Sequence, residues 1–201
     1  MRTDAITVSS KGAHMEKTLQ EVEKVAAYKG LSEKGALHLR LLTEEMMGMM
    51  RSITGETEGL FWIEDEDGEY RLHLCVNTRM NSGKRDQLLS TATSGKNESA
   101  RGLMGRLRDF FDRSADEDIS AYTSTLVLPE MMEHTTMPVH EWEWSMIRYE
   151  SELNNRISRQ DSKAKEAWDE LEKSVVARLA DEVKVSIRGA EVEMVIFKKI
   201  A

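Results

Sequence analysis

An α+β fold is predicted: a two-layer α/β sandwich in which helices cover one face of a mixed, mostly antiparallel sheet. Two patterns in the 201 residues predict it. The stretches Leu60–Val76 and Asp181–Lys198 alternate apolar and polar residues and break at a turn. Between Met15 and Ile53, and again after Val139, apolar residues recur three and four apart. Period two marks a half-buried strand and period 3.6 an amphipathic helix. A sheet that is apolar on one side only needs helices on that side only.

Taken in order, Ala5–Ser9 is short and β-favouring, as an edge strand is. Met15, Leu19, Val22 and Ala26 make the stripe of a first helix, Gly30 supplies its left-handed end, and Ser32 caps the next. In that second helix Leu39, Leu42, Met46, Met49 and Ile53 face one way, and Gly55 ends it. Met46, Met47, Met49 and Met50 read as core filler. Leu60–Ile63 is a strand, and Asp65-Glu66-Asp67-Gly68 a turn. After it Tyr70, Leu72, Leu74 and Val76 share a face, opposite Arg71, His73, Cys75 and Asn77. Asn81–Gly102 is polar and small, Gly102–Phe111 a short helix, and Ala121–Leu128 a weak strand. Val139–Ile157 reads as a helix with Trp142, Met146, Tyr149 and Leu153 on one side and with Trp142 and Trp144 on differing faces. Ala164, Trp168, Leu171, Val175 and Leu179 predict one more helix, and the closing hairpin turns at Arg188-Gly189. No internal repeat is visible.

Composition narrows the function. A net charge of −8 argues against nucleic acid, whose affinity comes from cations that neutralise phosphates. Hydrophobic content of 40% beside 32% charged residues suits a globular chain. Cys75 stands alone, so there is no intrachain disulfide and the expected compartment is reducing. No apolar run is long enough for a bilayer and no secretory h-region is evident, which makes the cytoplasm the expected location and no membrane a partner. One domain over 1–201 is expected, with a lid or insertion within 81–163. His134 and His140, with Glu130, Glu133 and Glu141, lack metal-ligand spacing, so no metal site is assigned there. Cys75 has no base beside it and reads as an inert strand residue.

The order of strand, two helices, hairpin, polar stretch and closing hairpin resembles the GHKL (Bergerat-fold) ATP-binding superfamily, in its branch of bacterial anti-sigma-factor kinases. Gly30–Met50, Leu60–Val76 and Ala180–Lys198 carry the likeness, including Ala180-Asp181-Glu182-Val183 before the last hairpin. The resemblance implies a histidine-kinase-like nucleotide fold, ATP or ADP as cofactor, and a sigma-factor-like or other regulatory protein as partner; a homodimer is compatible with it. It implies Glu45 as the general base, four residues before a magnesium-binding asparagine. Met49 stands at that position, and a thioether is a poor ligand for magnesium. Thr78 stands where an adenine-binding aspartate is expected, and Met80 where a glycine is. Gly102 and Gly105, with Lys96 and Arg101 upstream, resemble the phosphate-binding helix start. In the family that glycine-led helix runs into the closing strands; here the helix before them is Ala164–Leu179, so residues from about 114 to 162 are an insertion or an enlarged lid. Two functions follow. One is a regulator with reduced or atypical nucleotide binding that acts through protein contacts at Asn81–Arg101 or Val139–Ile157. The other is an active ATP-binding serine kinase or ATPase. A two-layer domain whose likeness is only topological is a third reading.

Overall fold

The computed structural model describes residues 1–9, 13–54, 58–77, 141–188 and 191–200. Six strands form one sheet: β1 (Ile6–Ser9), β2 (Glu58–Glu66), β3 (Glu69–Asn77), β4 (Glu141–Ser145), β5 (Glu182–Arg188) and β6 (Glu191–Lys199). Five helices accompany them among the described residues: α1 (Ala13–Tyr28), α2 (Glu33–Thr54), α3 (Met146–Ile157), α4 (Ser162–Leu171) and α5 (Val175–Leu179). The predicted α+β class stands. The sheet order is β1-β2-β3-β6-β5-β4, and neighbouring strands are antiparallel throughout, where a mixed sheet was expected.

The layers follow from the alternation. Phe61, Ile63, Tyr70, Leu72, Leu74, Val76, Val183, Val185, Met194 and Ile196 are buried, and they form one core with Val22, Leu39, Leu42, Met46, Met47, Leu153, Ala164 and Val176 from the helices. The intervening residues Trp62, Arg71, His73, Cys75, Lys184, Glu193 and Phe197 are only partly buried on the other side. No helix among the described residues is long and apolar enough to cross a membrane.

Helix α1 ends as Gly30 predicts. Its φ is 65°, and the Leu31 and Gly30 N–H groups donate back to Ala26 (3.0 Å) and Ala27 (3.1 Å), the paired bonds of a Schellman end. Ser32 then caps α2 by accepting from the Gly35 N–H at 3.2 Å. Within α2, Gly48 has open space around it, so Gly48→Ala should raise stability by about 0.5–1 kcal/mol through helix propensity. Urea denaturation at neutral pH measures it.

The predicted Val139–Ile157 helix is corrected at its start. Among the described residues Glu141–Ser145 is a strand on β5, and the helix runs over Met146–Ile157. Positions 142 and 144 therefore lie on one side of a strand, not on differing helix faces. Ser145 marks the junction. Its hydroxyl accepts from the Arg148 N–H at 3.3 Å and donates to Glu182 at 3.0 Å, while the Glu182 carboxylate also takes the Met146 and Ile147 N–H groups. Those are free donors of the first turn, satisfied from β5. The predicted Ala164–Leu179 helix is likewise two pieces. It stops at Leu171 and restarts at Val175 after Ser174, whose hydroxyl accepts from the Ala177 N–H. The last hairpin turns one residue later than predicted, because Arg188 pairs with Glu191 inside the sheet.

These corrections expose a repeat that the sequence conceals. The first half runs strand, two helices, two-stranded hairpin, and the second strand, three helices, two-stranded hairpin. The first helical turn reverses through Gly30 at φ 65° and the matching one through Gln160 at φ 64°, each followed by a capping residue, Ser32 and Asp161. Both hairpins pair across two-residue connections, Glu66↔Glu69 and Arg188↔Glu191. The halves meet along β3 and β6 in a register that is symmetric about His73↔Val195, with Glu69↔Lys199 at one end and Asn77↔Glu191 at the other. Glu141–Ile157, inside the stretch 81–163 where a lid or insertion was expected, thus belongs to the sheet and helix layer as the counterpart of β1 and α1.

Candidate functional site

Glu45 lies on the middle of α2 and is half-buried. Burial, with Glu44 adding its charge, makes this carboxyl hold its proton more tightly than an ordinary glutamate. One turn on, Met49 is 4% exposed and belongs to the apolar core. The position at which the resemblance implies a metal-binding amide therefore faces the sheet. Thr78, Lys96, Arg101, Gly102 and Gly105 lie outside the described residues, as do His134 and His140.

The Glu45 environment sets a testable sign. A carboxyl whose affinity for protons is raised by folding makes the folded state bind more protons than the unfolded one, so stability falls as pH rises above the ordinary glutamate range. Glu45→Gln removes that cost. A rise in Tm of about 1–2 °C at pH 7, absent at pH 4, is expected in paired thermal melts.

The start of α4, the first piece of the predicted Ala164–Leu179 helix, is closed to a phosphate. Helix α4 begins at its own cap: the Asp161 carboxylate accepts from the Lys163 N–H at 3.0 Å and the Ala164 N–H at 3.3 Å, and it pairs with Arg156 at 2.7 Å. Those contacts hold it below the usual carboxylate range, the Arg156 hydrogen bond contributing most. Two of the donors a phosphate would use at this helix start are thus occupied within the chain.

Two cavities lined by described residues do not include Glu45. The first, about 580 Å³, opens where the α1–α2 turn meets the β2–β3 hairpin loop. Asp65 is buried on its wall, ion-paired with Lys29, whose hydrogen bond is the main cause holding the carboxyl below its usual range. Tyr70 is buried beside them, and that burial raises its phenol. The contacts tie the end of α1 to the hairpin. The second cavity, about 770 Å³, lies among α3, α4 and α5 beside Trp168, whose indole N–H donates to Glu172 at 2.9 Å.

A further polar cluster lies elsewhere, on the open side of the sheet. His73 stacks on Trp62, ring centroids 4.7 Å apart and 10° from parallel, with the Arg2 guanidinium 5.3 Å over the same indole. Its Nδ1 is 3.0 Å from Glu193 Oε1 and its Nε2 is 3.6 Å from Glu64 Oε2. Glu193 is held below its usual range, mainly by that hydrogen bond. Cys75 lies on the same strand face, its thiol pushed up to about 11 by burial first and Glu191 second, so it stays a thiol at neutral pH. Alternation in the sequence placed His73 and Cys75 on this side, whereas nothing local announced Glu193, which reaches His73 only through strand pairing. Among the described residues no group of three His, Cys, Asp or Glu side chains is arranged to hold a metal ion. Comparison with protein-family models, with curated proteins and with solved structures returned no match.

Proposed function

We propose that this chain is a cytoplasmic regulatory protein with an anti-sigma-kinase-like GHKL scaffold, in which nucleotide binding is reduced or atypical and the work is done by binding another protein. The observation that carries this reading is Met49: the position one turn after Glu45 is committed to the apolar core and offers no oxygen to a metal–triphosphate complex. The closed start of α4 adds to it, since this helix keeps its Lys163 and Ala164 N–H groups for Asp161. A scaffold whose metal-ligand position has become a core position suits a surface-acting role.

The second reading, an active ATP-binding serine kinase or ATPase, is favoured by Glu45, because a half-buried carboxyl with raised proton affinity is how a glutamate is tuned toward general-base work. Calorimetric titration of the full chain with ATP and magnesium separates the two. Silence at millimolar nucleotide, together with recovery of a specific protein partner from native lysate, is the result for the regulator. Micromolar binding that Glu45→Gln leaves intact while phosphate transfer or release stops is the result for the enzyme, and it overturns the first reading.

A further inference from the structure

We propose that His73 is a proton-dependent clasp between the two halves of the sheet. It stands at the centre of the β3–β6 seam, opposite Val195, where the register of the halves is symmetric. One carboxylate reaches it from each half: Glu64 from β2 of the first and Glu193 from β6 of the second. The side chain is 12% exposed, and its Nε2 is buried with no hydrogen-bond partner. A buried ring nitrogen without a partner needs a physical reason.

The geometry supplies one. Neutral imidazole carries a single N–H. At 3.0 Å the Glu193 carboxylate claims it on Nδ1, and this leaves the Nε2 lone pair facing Glu64 Oε2, two acceptors 3.6 Å apart with no hydrogen between them. A proton on Nε2 converts that opposed pair into a charge-assisted contact, so that imidazolium bridges both carboxylates at once. Glu64 is held toward the ring, because its other oxygen accepts from the Trp62 indole N–H at 3.2 Å.

The remaining charges on this face do not duplicate the role. Arg2 reaches Glu64 Oε1 at 3.5 Å, on the oxygen away from His73. On β3 itself, Arg71 is engaged with Glu69 and Glu66, and Cys75 stays a thiol. From β5, Lys184 lies opposite Val195 and over the Phe197 ring, and Arg188 acts on Glu193. From β6, Glu191 acts on Cys75. Acidification therefore tightens the seam at one identifiable atom.

Thermal melts of the full chain between pH 8 and pH 5.5 test this, with His73→Gln and Glu64→Gln beside the parent protein. The margin of the parent over His73→Gln should widen by about 3 °C on acidification. In Glu64→Gln the new amide can donate to Nε2 without any added proton, so acidification should bring that variant no corresponding gain. Nitrogen-15 spectra of the parent should show the neutral ring at pH 8 as the Nδ1–H tautomer, with a second N–H appearing on acidification; this reading does not depend on the variants folding. A margin that is flat with pH, an unchanged acid gain in Glu64→Gln, or a neutral Nε2–H tautomer would each overturn the proposal.

Discussion

Leu72→Ala should lower stability by about 3 kcal/mol and Tm by roughly 10 °C. Leu72 is fully buried on β3, between Ile63 on β2 and Ile196 on β6, both buried as well. Truncation removes the transfer free energy of the lost methyls and leaves a void whose walls belong to strands held on both sides by ladders, so collapse around it is limited. The site also lies beside the line where the halves join. Far-UV and tryptophan-fluorescence transitions should therefore shift together, with an unchanged denaturant slope. Val195→Ala, on the half-exposed side of the same seam, should cost about 1 kcal/mol. Equal losses at the two positions would mean that the apolar layer is not where the burial pattern places it.

Gly68→Val should cost about 2–3 kcal/mol, for a backbone reason. The β2–β3 loop is the two-residue turn Asp67-Gly68, with φ of 50° and 84°, the sign that type I′ hairpins need at both central positions. A β-branched residue is strained at such an angle, and a Cβ on Gly68 would meet the Ile200 carbonyl oxygen at 3.1 Å. Gly68→Asn, which tolerates the left-handed region, should lose well under half as much. Chemical denaturation of the two variants side by side gives the comparison. Equal losses would assign the effect to crowding by Ile200 and remove the role of the angle.

Where the sequence was legible, the cause was a single period over a single element. Tyr70, Leu72, Leu74 and Val76 alternate without interruption, and their face was readable. Gly30 and Ser32 announced the α1–α2 turn because end chemistry is local. Val139–Ile157 imitates one helix because Trp142, Met146, Tyr149 and Leu153 keep helical spacing across a strand–helix junction. The alternation Glu141-Trp142-Glu143-Trp144, followed by Ser145 as a cap, was the competing signal. The similar order of elements in the two halves stayed hidden because they share alternation and loop length but not residue types, as Leu72 and Met194 in matching buried places illustrate. Of the candidate site, Glu45 could be placed. The cluster of Glu64, His73 and Glu193 needed the register of β3 with β6, which joins residues far apart in the chain.

Asn77, Glu191, Arg188 and Glu141 pair in one row across β3, β6, β5 and β4. The chain departs after Asn77 and returns at Glu141, so its exit and re-entry points are about 14 Å apart on one rim of the sheet, three strand spacings. A span that short can be closed by a linker of about six residues. The pairings of the described strands thus fix where this connection leaves the sheet and where it rejoins it.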